Sequence, residues 1–325
     1  MTTHSARITR RLLLASPVLL ARPALAQAWP ARPVRIIVPF GPGGPTDVMA
    51  RTVANGLTNA LGQPFVVENR PGAGGNVGVV AVARSAPDGY TLLVSSCGIV
   101  VNTSLFRSPG YDALRDFAPI MELGASPNAF LATNASPIRS MQDLVAKARE
   151  TPDGMHSANP GTGSTPHLTS ELLHIRTGVT FIQVAHNSAP AAVQAVVSGT
   201  TEIGTTALAS GHAQVKGGLV RAVALTGTQR WFDLPDVPTM AELGFADFVS
   251  ETFQGFFAPA GTPQPILDRL AREGSAIMAV PETQARLRAA GFAIPADPVT
   301  ALQQRVAREV PMWREVIERA GIEKQ

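Results

Sequence analysis

Three short stretches place glycines beside hydroxyl and amide side chains where an apolar run hands over to a helical pattern. The first, Phe40-Gly41-Pro42-Gly43-Gly44-Pro45-Thr46-Asp47, follows the most hydrophobic of the strand-like runs. The second is Pro71-Gly72-Ala73-Gly74-Gly75-Asn76, and the third is Asn159-Pro160-Gly161-Thr162-Gly163-Ser164-Thr165-Pro166-His167. Glycine removes the Cβ that keeps a ligand off the backbone. A helix start presents unpaired N–H groups and the positive end of its dipole. Together these make an anion site, and the hydroxyls of Ser164 and Thr165 can donate to carboxylate oxygens. None of the three stretches contains Lys or Arg. An anion there would be held by neutral dipoles, hydroxyls and ordered water, which suits reversible capture better than clamping a phosphate.

Other chemistries find less support. No Gly-Lys-Ser/Thr follows the first glycine loop, and the G-x-G-x-x-G spacing of a dinucleotide fold fails. The six histidines (His4, His156, His167, His174, His186, His212) form no H-E-x-x-H pattern, and no G-x-S-x-G elbow occurs. Ser164 with His167 or His186 could pose as nucleophile and base, but no orienting acid is evident. An enzyme acting on a small carboxylic acid is therefore the minor reading; no catalytic residue, cofactor or metal is assigned. Cys97 is the one cysteine, which excludes a disulfide framework and a Cys-rich metal cluster. Asp47 has two readings, ligand contact and helix cap. Ser95 and Ser96 end a strand-like run at the same expected edge, and Cys97 either joins them or fills the core.

These loops need elements to hold them. Strand-like runs alternate with helical ones: Val34–Phe40, Phe65–Glu68, Thr91–Ser95, Phe130–Thr133, His156–Ala158, Phe181–Val184, Ile203–Thr206, Ala222–Thr226 and Gln254–Ala258. Helical periodicity covers 47–61, 78–84, 141–149, 165–175, 189–197, 265–278, 281–289 and 299–320. Alternation of this kind predicts an α/β fold with mostly parallel sheets, whose ligands bind at the carboxyl ends of the strands. Sequence repeats and low-complexity linkers are absent, which predicts two lobes sharing the chain rather than independent beads.

With 325 residues, 45% hydrophobic and 16% charged, the chain can bury a substantial core and is not disordered. The net charge of +3 comes from the amino-terminal stretch, where Arg7, Arg10, Arg11 and Arg22 stand without an acid. Without those four, 23 basic residues face 24 acidic ones, a net charge of −1, so no nucleic-acid partner is expected. Met1 to Ala26 reads as an export signal: arginines, an apolar stretch from Leu12 to Ala21, and Ala24-Leu25-Ala26 as a small-x-small cleavage site. The Arg10-Arg11 pair fits a twin-arginine signal and equally an ordinary secretory one. A periplasmic location follows, with a mature chain starting near Gln27.

"WPARPVRIIVPFGPGGPTDVMAR", "GQPFVVENRPGAGGNVG", "APDGYTLLV" and "LPDVPTMAELGF" resemble the Bug/TctC family of extracytoplasmic solute receptors of tripartite tricarboxylate transporters. The likeness runs from about Trp29 to Ile322. It implies a two-lobed periplasmic-binding-protein fold with a ligand cleft, lobe 1 from 27–125 plus 250–325 and lobe 2 from 126–249. It implies a small mono- or dicarboxylate held by residues matching Phe40, Gly41, Gly43, Gly44, Thr46, Asp47, Gly74, Gly75 and Asn76. Lobe 2 closes on it with Gly161, Gly163, Ser164 and Thr165. Membrane permease subunits are the implied partners, and a monomer the implied state; a receptor feeding a sensor kinase is the alternative use of the same fold. The chain departs from the family pattern at Ala185-His186-Asn187-Ser188 and at Thr205-Thr206-Ala207, where a Lys and an Asp are common. Loss of that Asp argues against an amino group on the ligand. His186 has two readings, a donor to a second carboxylate and a surface histidine; Asn187 and Thr206 stand beside the same expected wall.

Overall fold

The structure is a computed structural model describing residues 29–151 and 153–325. The export segment read at Met1 to Ala26 lies outside the described residues. Among those residues no helix is long and apolar enough to cross a membrane.

The chain alternates strands and helices as its periodicity predicts. The first set runs β1 (Val34–Val38), α1 (Pro45–Leu61), β2 (Phe65–Asn69), α2 (Asn76–Ala83), β3 (Thr91–Ser96) and α3 (Gly98–Leu105). The second runs β5 (Met155–Asn159), α5 (Thr165–Thr177), β6 (Phe181–Ala185), α6 (Ala189–Val197), β7 (Ile203–Ala207) and α7 (Leu208–Lys216). In the sheet β1 lies between β2 and β3, and β5 lies between β6 and β7, every pair parallel. The two halves therefore repeat one arrangement that the sequence does not repeat, and each sends three helix starts toward the carboxyl ends of its strands.

Two antiparallel strands join the halves. β4 (Phe117–Thr133) pairs β9 (Glu251–Pro259) as far as Pro127, then pairs β7 and β8 (Val220–Leu225) from Asn128 on. The result is one nine-stranded sheet in the order β2-β1-β3-β9-β4-β7-β5-β6, with β8 on β4. Parallel pairing is thus confined to three strands in each half. The strands that leave and re-enter the first half run in opposite directions, so the sheet is mixed rather than mostly parallel. Only Phe130–Thr133 of β4 was legible as strand, because Pro119, Gly124 and Pro127 punctuate the rest. The register shifts near Pro119 and Gly124 accommodate that punctuation as bulges.

The remaining helices are α4 (Met141–Arg149), α8 (Gln264–Met278), α9 (Pro281–Ala289) and α10 (Pro298–Arg319). Ser140 and Asp143 close α4 with a reciprocal capping box. α10 crosses behind β4 and buries Trp313 completely. On its inner face Arg305 donates to Glu122 of β4 at 2.7 Å, to Glu251 of β9 at 2.8 Å and to Glu309 at 2.9 Å. Burial pushes the carboxyls of Glu122 and Glu309 up, against the pull of that guanidinium. A buried cluster of this kind gains little over an apolar core, yet losing its one inner cation leaves uncompensated charge. It ties both connecting strands to one helix.

Candidate functional site

The loop between β1 and α1 is set by Gly43 and Asp47. Gly43 has φ +84°, left-handed territory that glycine enters at little cost. Its N–H donates to Asp47 Oδ2 at 3.0 Å. Arg51 donates to the same carboxylate through Nε at 2.9 Å and Nη2 at 3.0 Å, and Asn69 Nδ2 donates at 2.9 Å. Those donors, Arg51 foremost, hold the Asp47 carboxyl at about 2. The carboxylate is consumed by its own protein and shapes the loop. The first turn of α1 itself begins at Gly44 with Pro45 at its head and no side-chain cap.

The loop between β5 and α5 repeats this geometry with other chemistry. Gly163, at φ +78°, donates its N–H to His167 Nδ1 at 3.2 Å, again four residues on. Ser164, at the position of Gly44, caps α5 by accepting from the His167 N–H at 3.4 Å. Burial pushes the His167 imidazole down to about 4, so it is neutral and Nδ1 can accept. Glu171 stands 3.7 Å from Nε2, too far for a hydrogen bond, with its own carboxyl pushed up by burial.

Between the halves lies a cavity of about 800 Å³. Its wall contains the starts of five helices: Gly44 to Asp47 of α1, Cys97 and Gly98 of α3, Ser164 to Pro166 of α5, Ala189 and Pro190 of α6, and Ala207, Ala209 and Ser210 of α7. Of the residues singled out in the sequence, Phe40, Gly41, Gly44, Thr46, Asp47, Gly74 and Ser96 border it from the first half. Gly163, Ser164 and Thr165 border it from the second.

The others stand behind this wall. Gly43 spends its N–H on Asp47, and Gly75 donates to the Gly72 carbonyl at 2.9 Å. Asn76 accepts from Asn102 at 2.8 Å. Ser95 is buried within β3, and Gly161 donates to Asn159 Oδ1 at 2.9 Å. His186 donates its N–H to the Asn159 carbonyl at 2.9 Å, and neither it nor Asn187 borders the cavity; Ala189 and Pro190 do. Thr206 is fully buried in β7, and its hydroxyl has no partner among the described residues.

The wall also holds residues that sequence reasoning missed. Asn102, Leu105 and Phe106 arrive with α3, whose run GIVVNTSL carries no helix signal beyond Gly98 at its start. Thr252 and Gln254 arrive with β9. Thr46 donates to Gln254 Oε1 at 2.7 Å. Across the gap, Cys97 Sγ lies 3.6 Å from Thr165 Oγ1, which pairs with Thr252 Oγ1 at 2.7 Å. Thr252 donates in turn to Asn128 Oδ1 at 3.2 Å. Asn128 is fully buried where β4 changes partners, and its Nδ2 reaches Thr169 at 2.9 Å and Ser250 at 3.0 Å. A hydrogen-bonded chain thus runs from the cavity to the strands that join the halves. Burial pushes the Cys97 thiol up, so it is an unreactive neutral group in this wall.

Among the described residues, no Lys, Arg or His borders the cavity, and no group of His, Cys, Asp and Glu could hold a metal ion. In the wall itself, positive potential comes from the helix starts.

Comparison with known proteins agrees with this architecture. Residues 49–322 match the model of the tripartite tricarboxylate transporter family receptor, TctC. The chain is 35% identical to protein BugT of Bordetella pertussis over 308 residues, covering 93% of each chain. It is similar to the structure of the periplasmic binding protein BugD, with 34% identity and a TM-score of 0.75, over 91% of this chain and all of that one. It is also similar to an R. palustris protein whose structure was solved with adipate, at 32% identity and a TM-score of 0.76, over 90% of this chain and 98% of that one. With its two-lobed α/β fold, the chain belongs to the TctC family of periplasmic solute-binding receptors.

Proposed function

We propose that the protein captures a small organic carboxylate in the cavity between its lobes and delivers it to membrane permease subunits of a tripartite tricarboxylate-type transporter. The observation that carries this reading is the convergence of five helix starts on one cavity without a cationic side chain. Such a wall favours one negative charge and releases it readily, since no cationic side chain in it would pair with the ligand. The solved relative with adipate shares the fold and supports an acid as ligand.

The lobes we assign are 27–125 with 250–325, and 126–249; the change of partner along β4 between Pro127 and Asn128 supports that division. Closure brings Thr162 to Thr165 over an acid seated on α1 and α3, driven by contacts that exist only in the closed state. Met1 to Ala26 acts as the export signal, and the receptor works as a monomer. A thermal-shift screen of small carboxylates tests the ligand class. A bound acid at 100 times its Kd raises stability by about 2.7 kcal/mol, and no shift with any carboxylate would refute it.

A further inference from the structure

We infer that the acid taken by this site carries a single carboxylate on an uncharged, largely apolar body of aromatic or medium-chain size. The inference rests on the acid-receptor reading above and narrows it. First-turn amides without a side-chain acceptor are more numerous on the first-lobe side of the cavity, since each serine cap opposite takes one. α1 and α3 start without a side-chain cap. On the other side Ser164 caps α5 and Ser188 caps α6. The start of α7 has no side-chain cap, but its Ala209 N–H is given to Ser126 Oγ at 2.9 Å. The first-lobe pole of the cavity is therefore the better fitted for an anion.

Much of the remaining wall is apolar, with Asn102, Thr252 and Gln254 among its polar members. Phe40, Leu105, Phe106 and Phe292 come from the first lobe, and Pro190 and Ala209 face them from the second. Phe106 and Phe40 flank the turn before α2; a Cβ on Gly74 would meet Phe106 Cζ at 3.1 Å, and one on Gly75 would meet Phe40 Cε1 at 3.3 Å. Both rings therefore lie against that turn, beside the anion pole. An apolar body covered by these side chains leaves water favourably. A second carboxylate placed there would lose its hydration and find no cation, because among the described residues no Lys, Arg or His borders the cavity. Thr162 and Ser210 offer hydroxyls to a neutral oxygen, such as a hydroxyl or keto group, without changing that balance.

Calorimetric titration of the purified protein with matched skeletons tests this. The probes are hexanoate against adipate, benzoate against terephthalate, and the neutral amides hexanamide and benzamide. In the pair that binds more tightly, the monoacid is expected to bind at least about tenfold tighter than its diacid, ~1.4 kcal/mol, with no saturable heat from the amide. A diacid that binds within tenfold of its monoacid, or tighter, overturns the inference while leaving the acid receptor intact. Amides binding as well as the acids, or no binding by any acid, overturns the acid-receptor reading itself and this inference with it.

Discussion

Gly163 of one lobe faces Leu105 of the other so closely that a Cβ on Gly163 would stand 2.2 Å from Leu105 Cδ2. The glycine also holds φ +78°, so alanine there adds backbone strain of roughly 1 kcal/mol to the collision. Gly163→Ala is expected to weaken acid binding at least about tenfold, or ~1.4 kcal/mol, because the lobes can no longer meet. Adding Leu105→Ala should recover part of the loss. Calorimetry on the single and double variants checks this, and an unchanged affinity in Gly163→Ala would show that the close approach is not needed for capture.

The Asp47 carboxylate sits among four protein donor atoms and organises the first loop rather than pairing with ligand. Asp47→Ala leaves the Gly43 and Asn69 donors without their acceptor, and stability should drop by roughly 1–3 kcal/mol. Arg51→Ala keeps both of those bonds and removes a half-exposed partner, so its cost should stay below about 1 kcal/mol. Urea unfolding of the two variants measures the difference; equal losses would contradict this division of labour.

His167 is buried neutral in the folded chain at about 4 and returns to its ordinary 6.5 on unfolding. Between those values the unfolded chain binds the extra proton, so the stability contributed by the neutral imidazole is whole above 6.5 and is lost as pH falls to 4. The fall amounts to roughly 3 kcal/mol at most. His167→Gln keeps an acceptor for the Gly163 N–H and removes the titration, which should flatten the stability profile over that range. A profile as steep as that of the parent would place the titrating group elsewhere.

Arg305 is the cation shared by Glu122, Glu251 and Glu309 inside the joint between α10, β4 and β9. Arg305→Met strips that partner from Glu122 and Glu309, which are buried, and should cost about 3–5 kcal/mol. Chemical unfolding near neutral pH reads the loss directly. A cost below about 1 kcal/mol would mean that the carboxyls are already protonated in the native protein.

The local part of this architecture was written in the sequence. Met141–Arg149, Ala189–Val197 and Pro281–Ala289 match the ranges read from their periodicity to the residue. The three glycine loops announced themselves through glycine and proline. What sheet order decides could not be read that way. α3 and α7 reach the cavity only because β3 and β7 sit beside β1 and β5 in the sheet. Asn128 becomes a hub only because β4 changes partners there. His186 and Asn187 stand where the chain departs from the family pattern, and the start of α6 just after them borders the cavity instead.

A crystal structure of the protein with the tightest-binding acid from the screen tests the placement most directly. The carboxylate is expected in the cavity, with its oxygens on the first-turn N–H groups of α1 or α3, directly or through one water. An acid seated outside that cavity, or one whose carboxylate pairs with an arginine or lysine side chain, would contradict capture by helix starts.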